Sequence, residues 1–192
     1  VDELYAAMPS PTEMSGGSAA NTLVGVASFG GRAAYIGRVR DDQLGTVFAH
    51  DLASLAVSFD SPRAADGPGT GRCMIVVTPD AQRTMNTYLG ASSLLGPDHL
   101  DTDLIADSAV TFLEGYLFDR DDAKAAYRVA TEAAHRAGRQ VALTLSDGFC
   151  VERHRADFTA LIDDGVDILF ANTDEITRLY EVDDVDEAID RV

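Results

Sequence analysis

The stretch that decides the fold reads GGSAANTLVGVASFGGRAAYIGRVRDDQLG, residues 16–45. It opens on a glycine pair, continues as an apolar run of helical character over residues 19–29, and reaches a second glycine pair at 30 and 31. Glycine just after the last helical residue is typical of a helix end. An apolar strand over residues 33–36 follows, and an aspartate at 41 or 42 precedes a second helical run over 43–55. The stretch therefore predicts a helix, a strand and a helix.

The second half of the chain repeats this alternation. Apolar strands are predicted over residues 109–113, 141–145 and 166–170, with helices over 120–137 and 155–162 and a helix after Asn172. Buried strands that alternate with helices predict an α/β fold, a mostly parallel sheet flanked by helices, with ligands at the carboxyl ends of the strands. A last helix over 186–192 has no strand after it, so we expect the fold to continue beyond Val192.

A different pattern interrupts the alternation. Residues 56–59 form a short strand pattern, residues 61–70 are rich in proline, glycine and alanine, and two strand-like runs, 71–78 and 83–89, flank a turn. This predicts a hairpin, about residues 56–90, inserted into one α/β domain that spans residues 1–192. Such a hairpin is suited to closing a binding site as a lid.

Composition limits the function classes. The 192 residues carry 15 Lys and Arg against 32 Asp and Glu, a net charge of −17. So acidic a surface repels nucleic acid and anionic lipid, and no apolar run approaches the ~20 residues that span a bilayer. The acidic start does not predict a signal peptide, and Cys73 and Cys150 have no metal-ligand spacing. We expect a cytoplasmic protein with reduced thiols, in which an anionic cofactor needs a local binding device.

The first glycine pair is the main candidate site. Gly16 and Gly17 let a ligand approach the backbone, the helix start offers unpaired N–H groups, and Asn21 can donate to and accept from hydroxyls. Together they suit a polyhydroxylated ligand. A tight turn followed by a helix cap remains the alternative interpretation. The pattern is not GxGxxG, which argues against a dinucleotide site.

Residues 16–45 resemble the N-terminal signature of ribokinase-like (pfkB-type) kinases: a glycine pair, an asparagine four residues later, a helix, and the spaced Gly37, Asp42 and Gly45. The resemblance implies that Gly16, Gly17 and Asn21 hold substrate hydroxyls. Ribokinases usually carry lysine where Ser18 stands, and serine there is similar to adenosine kinases.

The resemblance also gives roles to residues farther along the chain. It implies a β-lid, because Thr70-Gly71-Arg72-Cys73 and Arg83 resemble the lid strands of adenosine kinases. Arg83 is implied in contact with substrate or phosphate, although a solvated strand arginine is the alternative. Glu114, at a strand end, is implied as a substrate contact or else as a loop cap. Ser146, after the next strand, is expected on the nucleotide side.

The motif Asn172-Thr173-Asp174-Glu175 resembles the N-x-x-E motif of the same family. The resemblance implies that Asn172 and Glu175 act on Mg²⁺ and phosphate, with Glu175 reaching the metal through water. The same residues fit a helix capping box, which is the structural alternative.

The resemblance implies an ATP-dependent kinase that uses Mg²⁺ and transfers the γ-phosphoryl group to a primary hydroxyl of adenosine. A sugar such as ribose or fructose is the second acceptor, and a need for a monovalent cation and a homodimer formed through the lid are left open. The catalytic base of the family is an aspartate in a G-A-G-D motif, which these 192 residues lack. We expect that aspartate after Val192, no catalytic residue within the chain, and little activity from the chain alone. Two alternatives remain, a non-catalytic ligand-binding module and a plain nucleotide-binding scaffold.

Overall fold

The computed structural model describes residues 2–8 and 11–192, which form two compact units, one up to Leu95 and one from Gly96 onward. No helix in these two described ranges is long and apolar enough to cross a membrane. Both cysteines are free thiols, Cys73 exposed and Cys150 buried. Burial raises the pKa of the Cys150 thiol to about 11.

The first unit contains a two-stranded parallel sheet, two helices packed on it and an antiparallel hairpin. Its elements are α1 (Asp2–Ala7), α2 (Ser18–Ser28), β1 (Ala33–Ala34), α3 (Gln43–Ser54), β2 (Val57–Ser58), β3 (Arg72–Val77) and β4 (Arg83–Tyr88). A 3-10 turn, Gly90–Leu94, follows the hairpin. The helix, strand and helix that residues 16–45 predict occur in that order as α2, β1 and α3.

Strands β1 and β2 pair in parallel, with Ala33 opposite Val57. A small core lies between this pair and the helices α2 and α3, around buried Ala20, Leu52 and Val57. Three aromatic rings close one side of that core edge to face, with centroids 5.5–5.6 Å apart: Tyr35, Phe48 and Phe59. Burial of this apolar surface is the main force that holds the unit together.

Local chemistry sets where α2 and α3 end and begin. Helix α2 ends at Ser28 with Phe29 as its C-cap. The amide of Gly31 bonds back to the carbonyl of Val26 at 3.0 Å, and Gly30 takes a φ of +84°. Such a left-handed residue favours glycine. Asp42, and not Asp41, caps α3, because its carboxylate accepts the amide hydrogen of Gly45 at 2.8 Å.

The hairpin runs antiparallel from the pair Arg72 and Tyr88 to the pair Val77 and Arg83. Thr78 and Gln82 close its turn, in which Ala81 takes a φ of +66°. Among the strand residues Met74 is buried, Tyr88 is half-buried and the remainder are exposed. The hairpin is therefore shorter than the predicted span of about 56–90, because residues 57 and 58 pair with β1 instead.

The second unit is built on a three-stranded parallel sheet in the order β5-β6-β7. Its elements are α4 (Thr102–Asp107), β5 (Val110–Glu114), α5 (Asp121–Arg136), β6 (Gln140–Thr144), α6 (Gly148–Gly165), β7 (Ile168–Phe170), α7 (Thr173–Tyr180) and α8 (Val185–Ile189). Short 3-10 turns lie at Pro97–His99 and Gly115–Leu117. The parallel pairing is the predicted one.

Helix α6 is longer than the predicted helix over 155–162. Asp147 caps it, accepting the amide hydrogen of Cys150 at 2.7 Å, so the helix begins seven residues earlier. His154 breaks the helix with φ −126° and bonds Asp119 at 2.6 Å. Beneath the break, Phe118 and Phe158 stack with centroids 4.2 Å apart. The predicted helix over 155–162 therefore corresponds to the part of α6 that follows the break.

Candidate functional site

The glycine pair before α2 has the geometry of a ligand-facing loop. Gly17 is the residue that precedes the helix and takes φ +112° and ψ 138°, which side chains rarely allow. Both Gly16 and Gly17 are exposed, and a Cβ atom added to either would meet no other atom within 4 Å. Backbone conformation, and not crowding within the unit, therefore requires glycine at 17. The space beside both residues is open.

The start of α2 has no side-chain cap, since Gly17 has no side chain with which to provide one. The amide of Asn21 makes an intrahelical bond to Gly17 at 2.8 Å, one turn in. Asn21 and Ser18 are exposed, and the carbonyl of Ser18 accepts the hydroxyl of Thr22 at 2.9 Å. A helix start without a side-chain cap, beside an exposed amide, can offer hydrogen bonds to hydroxyl groups.

A side-chain bond holds this loop against α3. The Ser15 hydroxyl donates to the Asp51 carboxylate at 2.6 Å across 36 residues. That hydrogen bond is the main reason why the pKa of Asp51 lies below its ordinary value. The glycine pair is thus tethered by the residue immediately before it.

Arg83 is the first residue of β4, opposite Val77 on the hairpin. It is exposed and has no ion-pair partner among the described residues. Its predicted contact with substrate or phosphate stays a prediction.

In the second unit the strand ends align as predicted. Glu114, Thr144 and Phe170 are register partners at the carboxyl edge of β5, β6 and β7. Glu114 is half-buried. Ser146, two residues past β6, has a φ of +75°, a value uncommon for a residue other than glycine. Its carbonyl accepts the hydroxyl of Tyr116 at 3.0 Å.

Tyr116 is a residue of this edge that the sequence analysis missed. Burial raises the pKa of its phenol, and the carboxylates of Asp147, Glu114 and Glu175 raise it further. The three carboxylates therefore all influence one phenol. The signal was present in the sequence, since Tyr116 follows Glu114 by two residues and Asp147 follows Ser146.

Asn172 and Glu175 form a complete capping box at the start of α7. The Asn172 side chain accepts the amide hydrogen of Glu175 at 2.9 Å. The Glu175 carboxylate accepts the backbone amide of Asn172 at 3.1 Å and its side-chain amide at 2.8 Å. Glu175 is 7% exposed, while Asn172 is exposed. The structural alternative, a helix capping box, is thus present.

The fit to Mg²⁺ depends on Glu175. Each of its carboxylate oxygens accepts one hydrogen bond, and a carboxylate oxygen can accept two. Within residues 2–8 and 11–192, no group of three or more His, Cys, Asp or Glu side chains is arranged to hold a metal. Mg²⁺ commonly keeps several waters and binds one or two carboxylates plus phosphates. Contact through water fits this geometry, and a dedicated metal cage does not.

The model of the pfkB family of carbohydrate kinases matches residues 2–192. The chain belongs to this family. The solved adenosine kinase of Sinorhizobium meliloti superposes with a TM-score of 0.92 at 51% identity, over 98% of this chain and 58% of that one. A probable sugar kinase of Rhizobium etli gives 0.92 at 48%, over 99% and 58%.

A probable chloroplastic fructokinase of Arabidopsis thaliana is 31% identical over 132 residues, 68% of this chain and 34% of that protein. The chain thus spans about a third of this curated relative and 58% of the two solved kinases. Its fold is the ribokinase-like α/β fold of the pfkB family.

One surface groove of the second unit lies outside the predicted pfkB site. It has a volume of about 300 Å³, and none of the predicted site residues lines it. Arg155 and Arg178 in its wall are already paired with acids, at 3.3 Å to Glu181 and 2.8 Å to Asp174. The glycine pair and the carboxyl edge of the sheet remain the candidate sites of this pfkB chain.

Proposed function

We propose that the protein carrying this chain is an ATP-dependent kinase that phosphorylates a primary hydroxyl of adenosine. The observation that carries the proposal is the start of α2. There Gly17 at φ +112°, an uncapped helix start and exposed Asn21 border open space. The 51% identity with an adenosine kinase over 98% of the chain supports the choice of acceptor.

In this proposal the start of α2 binds the ribose of the acceptor. Backbone N–H groups beside Gly16 and Gly17 donate to ribose oxygens, while the Asn21 amide both donates and accepts. Ser18, without a long cationic side chain, leaves room for a nucleoside. Directional hydrogen bonds of this kind hold the reacting hydroxyl in place, and positioning supplies much of the rate in phosphoryl transfer.

The carboxyl edge of the second unit would serve the nucleotide. Mg²⁺, when bound, neutralises charge on the phosphates of ATP. Glu175 would hold a metal-bound water through the free capacity of its carboxylate, and Asn172 would keep that carboxylate in place by the two bonds already described. Ser146 would line the nucleotide side.

The hairpin would act as the lid. Its strands are largely exposed and its root is rich in glycine, so little buried surface opposes movement. Closure would exclude water, which competes with the acceptor for the phosphoryl group. Arg83 would then meet substrate or phosphate. A homodimer through the lid, a requirement for a monovalent cation and a cytoplasmic location stay predictions.

A sugar kinase is the second candidate. Glu114 favours it, because a half-buried carboxylate at a strand end can accept hydrogen bonds from several sugar hydroxyls. The fructokinase of Arabidopsis thaliana and the probable sugar kinase of Rhizobium etli support the same candidate.

A phosphate-transfer screen of the full-length protein against adenosine, other nucleosides, ribose and fructose tests the two candidates. The adenosine proposal expects kcat/KM to be highest for adenosine. Higher kcat/KM for fructose or ribose would select the sugar kinase. Nucleoside binding without any transfer would select a non-catalytic module.

Asn21→Ala tests the site itself. Each lost hydroxyl contact is worth roughly 1–3 kcal/mol, so the acceptor KM should rise about 5- to 150-fold. Thr22→Ala is the matched control. Thr22 is exposed on the same helix, and its hydroxyl donates to the backbone carbonyl of Ser18. If the acceptor KM of Asn21→Ala equals that of the control, the assignment of the site is wrong.

A further inference from the structure

The root of the hairpin is joined to α3 by one carboxylate. Asp42 accepts the amide hydrogen of Gly45 at 2.8 Å, the hydroxyl hydrogen of Thr70 at 2.6 Å and the amide hydrogen of Thr70 at 2.9 Å. The Thr70 hydroxyl also accepts the amide hydrogen of Arg40 at 3.0 Å, and Thr70 is 7% exposed. Two of these bonds cross 28 residues of chain, so they tie the entry of the hairpin to the start of a helix.

The backbone on either side of Thr70 is glycine, and it is tightly approached. A Cβ atom at Gly90 would lie 2.2 Å from the carbonyl oxygen of Gly69, and one at Gly71 would lie 2.7 Å from that of Leu89. The amide of Ala91 bonds the same Gly69 carbonyl at 2.9 Å. The two chain segments of the root therefore touch backbone to backbone, where only glycine fits, and glycine is the residue that most easily changes its dihedral angles.

These features divide the root into a point fixed by hydrogen bonds and two glycine positions that lack side chains. Thr70 is held by three hydrogen bonds, two of them to the Asp42 carboxylate at the start of α3 and one from the amide of Arg40. Gly71, and Gly90 on the return segment, have no side chain to resist rotation. Beyond them the hairpin strands are exposed except at Met74 and Tyr88. Hinges in proteins are usually a few such residues beside a rigid element.

We propose that Asp42 and Thr70 are positioning residues that fix the pivot of the β3–β4 hairpin on the start of α3. The hydrogen bonds of Thr70 decide the direction in which the hairpin moves, and the flanking glycines permit the movement. The part that concerns catalysis rests on the proposed kinase function, because a wrongly aimed hairpin would admit water to the phosphoryl group.

Thr70→Val tests the role of the Thr70 hydroxyl without removing the cap of α3. It removes the hydroxyl but leaves Asp42 free to cap α3 through Gly45. The matched control is Thr46→Val, since the Thr46 hydroxyl sits at the same helix start, donates to the backbone oxygen of Asp42 at 3.0 Å and accepts from Arg63 at 2.8 Å, but does not bond the Asp42 carboxylate. Thr70→Ser restores the hydroxyl and is the rescue variant.

The first readout is hydrogen exchange of the full-length protein, which does not depend on activity. Amides of residues 72–88 should exchange about tenfold faster in Thr70→Val than in Thr46→Val, while amides of β5–β7 stay unchanged and Thr70→Ser returns close to the wild type. Equal exchange of residues 72–88 in the two valine variants would overturn the proposal. If Thr70→Val does not fold, Asp42→Asn replaces it, because the amide oxygen still caps α3 while the bonds to Thr70 weaken.

The second readout is the ratio of ATP hydrolysis to acceptor phosphorylation. Thr70→Val should raise this ratio about tenfold and raise the acceptor KM, with the KM for ATP nearly unchanged. A loss of overall stability alone would lower both reactions together and leave the ratio unchanged, which would overturn the positioning role. If the wild type transfers phosphate to no acceptor, the proposed function fails, and hydrogen exchange alone decides on the pivot.

Discussion

Replacing Gly17 by alanine probes the conformation on which the candidate site depends. The φ of +112° places this residue where a side chain costs about 1–3 kcal/mol. A Cβ atom there would meet nothing within 4 Å, so no steric overlap adds to that cost. Alanine also restricts the unfolded chain, which returns about 0.4–1 kcal/mol. We therefore expect Gly17→Ala to lower the free energy of unfolding by about 1–2 kcal/mol.

Two other glycines provide matched controls. Gly25 lies within α2, and a Cβ atom there is also unobstructed. Since alanine is the better helix former, Gly25→Ala should raise stability by up to about 1 kcal/mol. Gly16 has the same open space without a positive φ. Gly16→Ala should therefore leave stability nearly unchanged while its methyl group enters the space assigned to the acceptor.

Urea denaturation followed by circular dichroism measures stability, and calorimetric titration with adenosine measures binding. Gly16→Ala should weaken binding alone, Gly17→Ala should weaken both, and Gly25→Ala should weaken neither. If Gly17→Ala proves as stable as Gly25→Ala, the left-handed conformation is not present. If Gly16→Ala binds adenosine like the wild type, the open space does not belong to the acceptor.

Three further predictions concern other parts of the chain. Glu175→Gln should shift the Mg²⁺ dependence of phosphate transfer and leave acceptor affinity nearly intact; a defect in acceptor affinity alone would reverse the assignment. Ala81→Gly should raise the free energy of unfolding of the hairpin by about 0.5–1 kcal/mol, because its φ of +66° favours glycine; unchanged hydrogen exchange in residues 72–88 would contradict this. Burial raises the pKa of Asp42, but hydrogen bonds from Thr70 and from the amides of Thr70 and Gly45 lower it by more. The stability that Asp42 contributes is therefore present above the unfolded pKa of about 3.9 and lost as pH falls through the lower folded value. The difference in unfolding free energy between the wild type and Asp42→Asn should accordingly shrink below about pH 4, and a difference that grows there would contradict the reasoning.

Patterns along the chain predicted the elements whose apolar residues repeat regularly. Helices α2, α3 and α5 and the parallel strands follow from that periodicity, and the pfkB family match agrees with the resemblance of residues 16–45. The short helix α4 and the 3-10 turns were missed, because six residues or fewer carry too little periodicity to detect. The first half of α6 was missed because Asp147 starts the helix well before its apolar pattern begins.

Spatial groupings at the site were harder to predict. Gly16, Gly17 and Asn21 are close in sequence, so their joint position at a helix start follows from spacing. The carboxylates of Glu114, Asp147 and Glu175 raise the pKa of Tyr116, although Asp147 and Glu175 are far from it in sequence. They come together only because the ends of three strands align. The bond between Asp42 and Thr70 likewise spans 28 residues, and its register depends on how the intervening loop folds.

The contrast between the two thiols makes the hairpin experimentally addressable without mutation. Cys73 lies exposed on β3, whereas Cys150 is buried, with its pKa raised to about 11. Because the thiolate is the nucleophile, a maleimide dye at neutral pH should attach at Cys73 far faster than at Cys150. Of the two thiols in residues 1–192, only the one on the hairpin would then carry the fluorophore, and its anisotropy or quenching during ligand titration would report hairpin movement in real time.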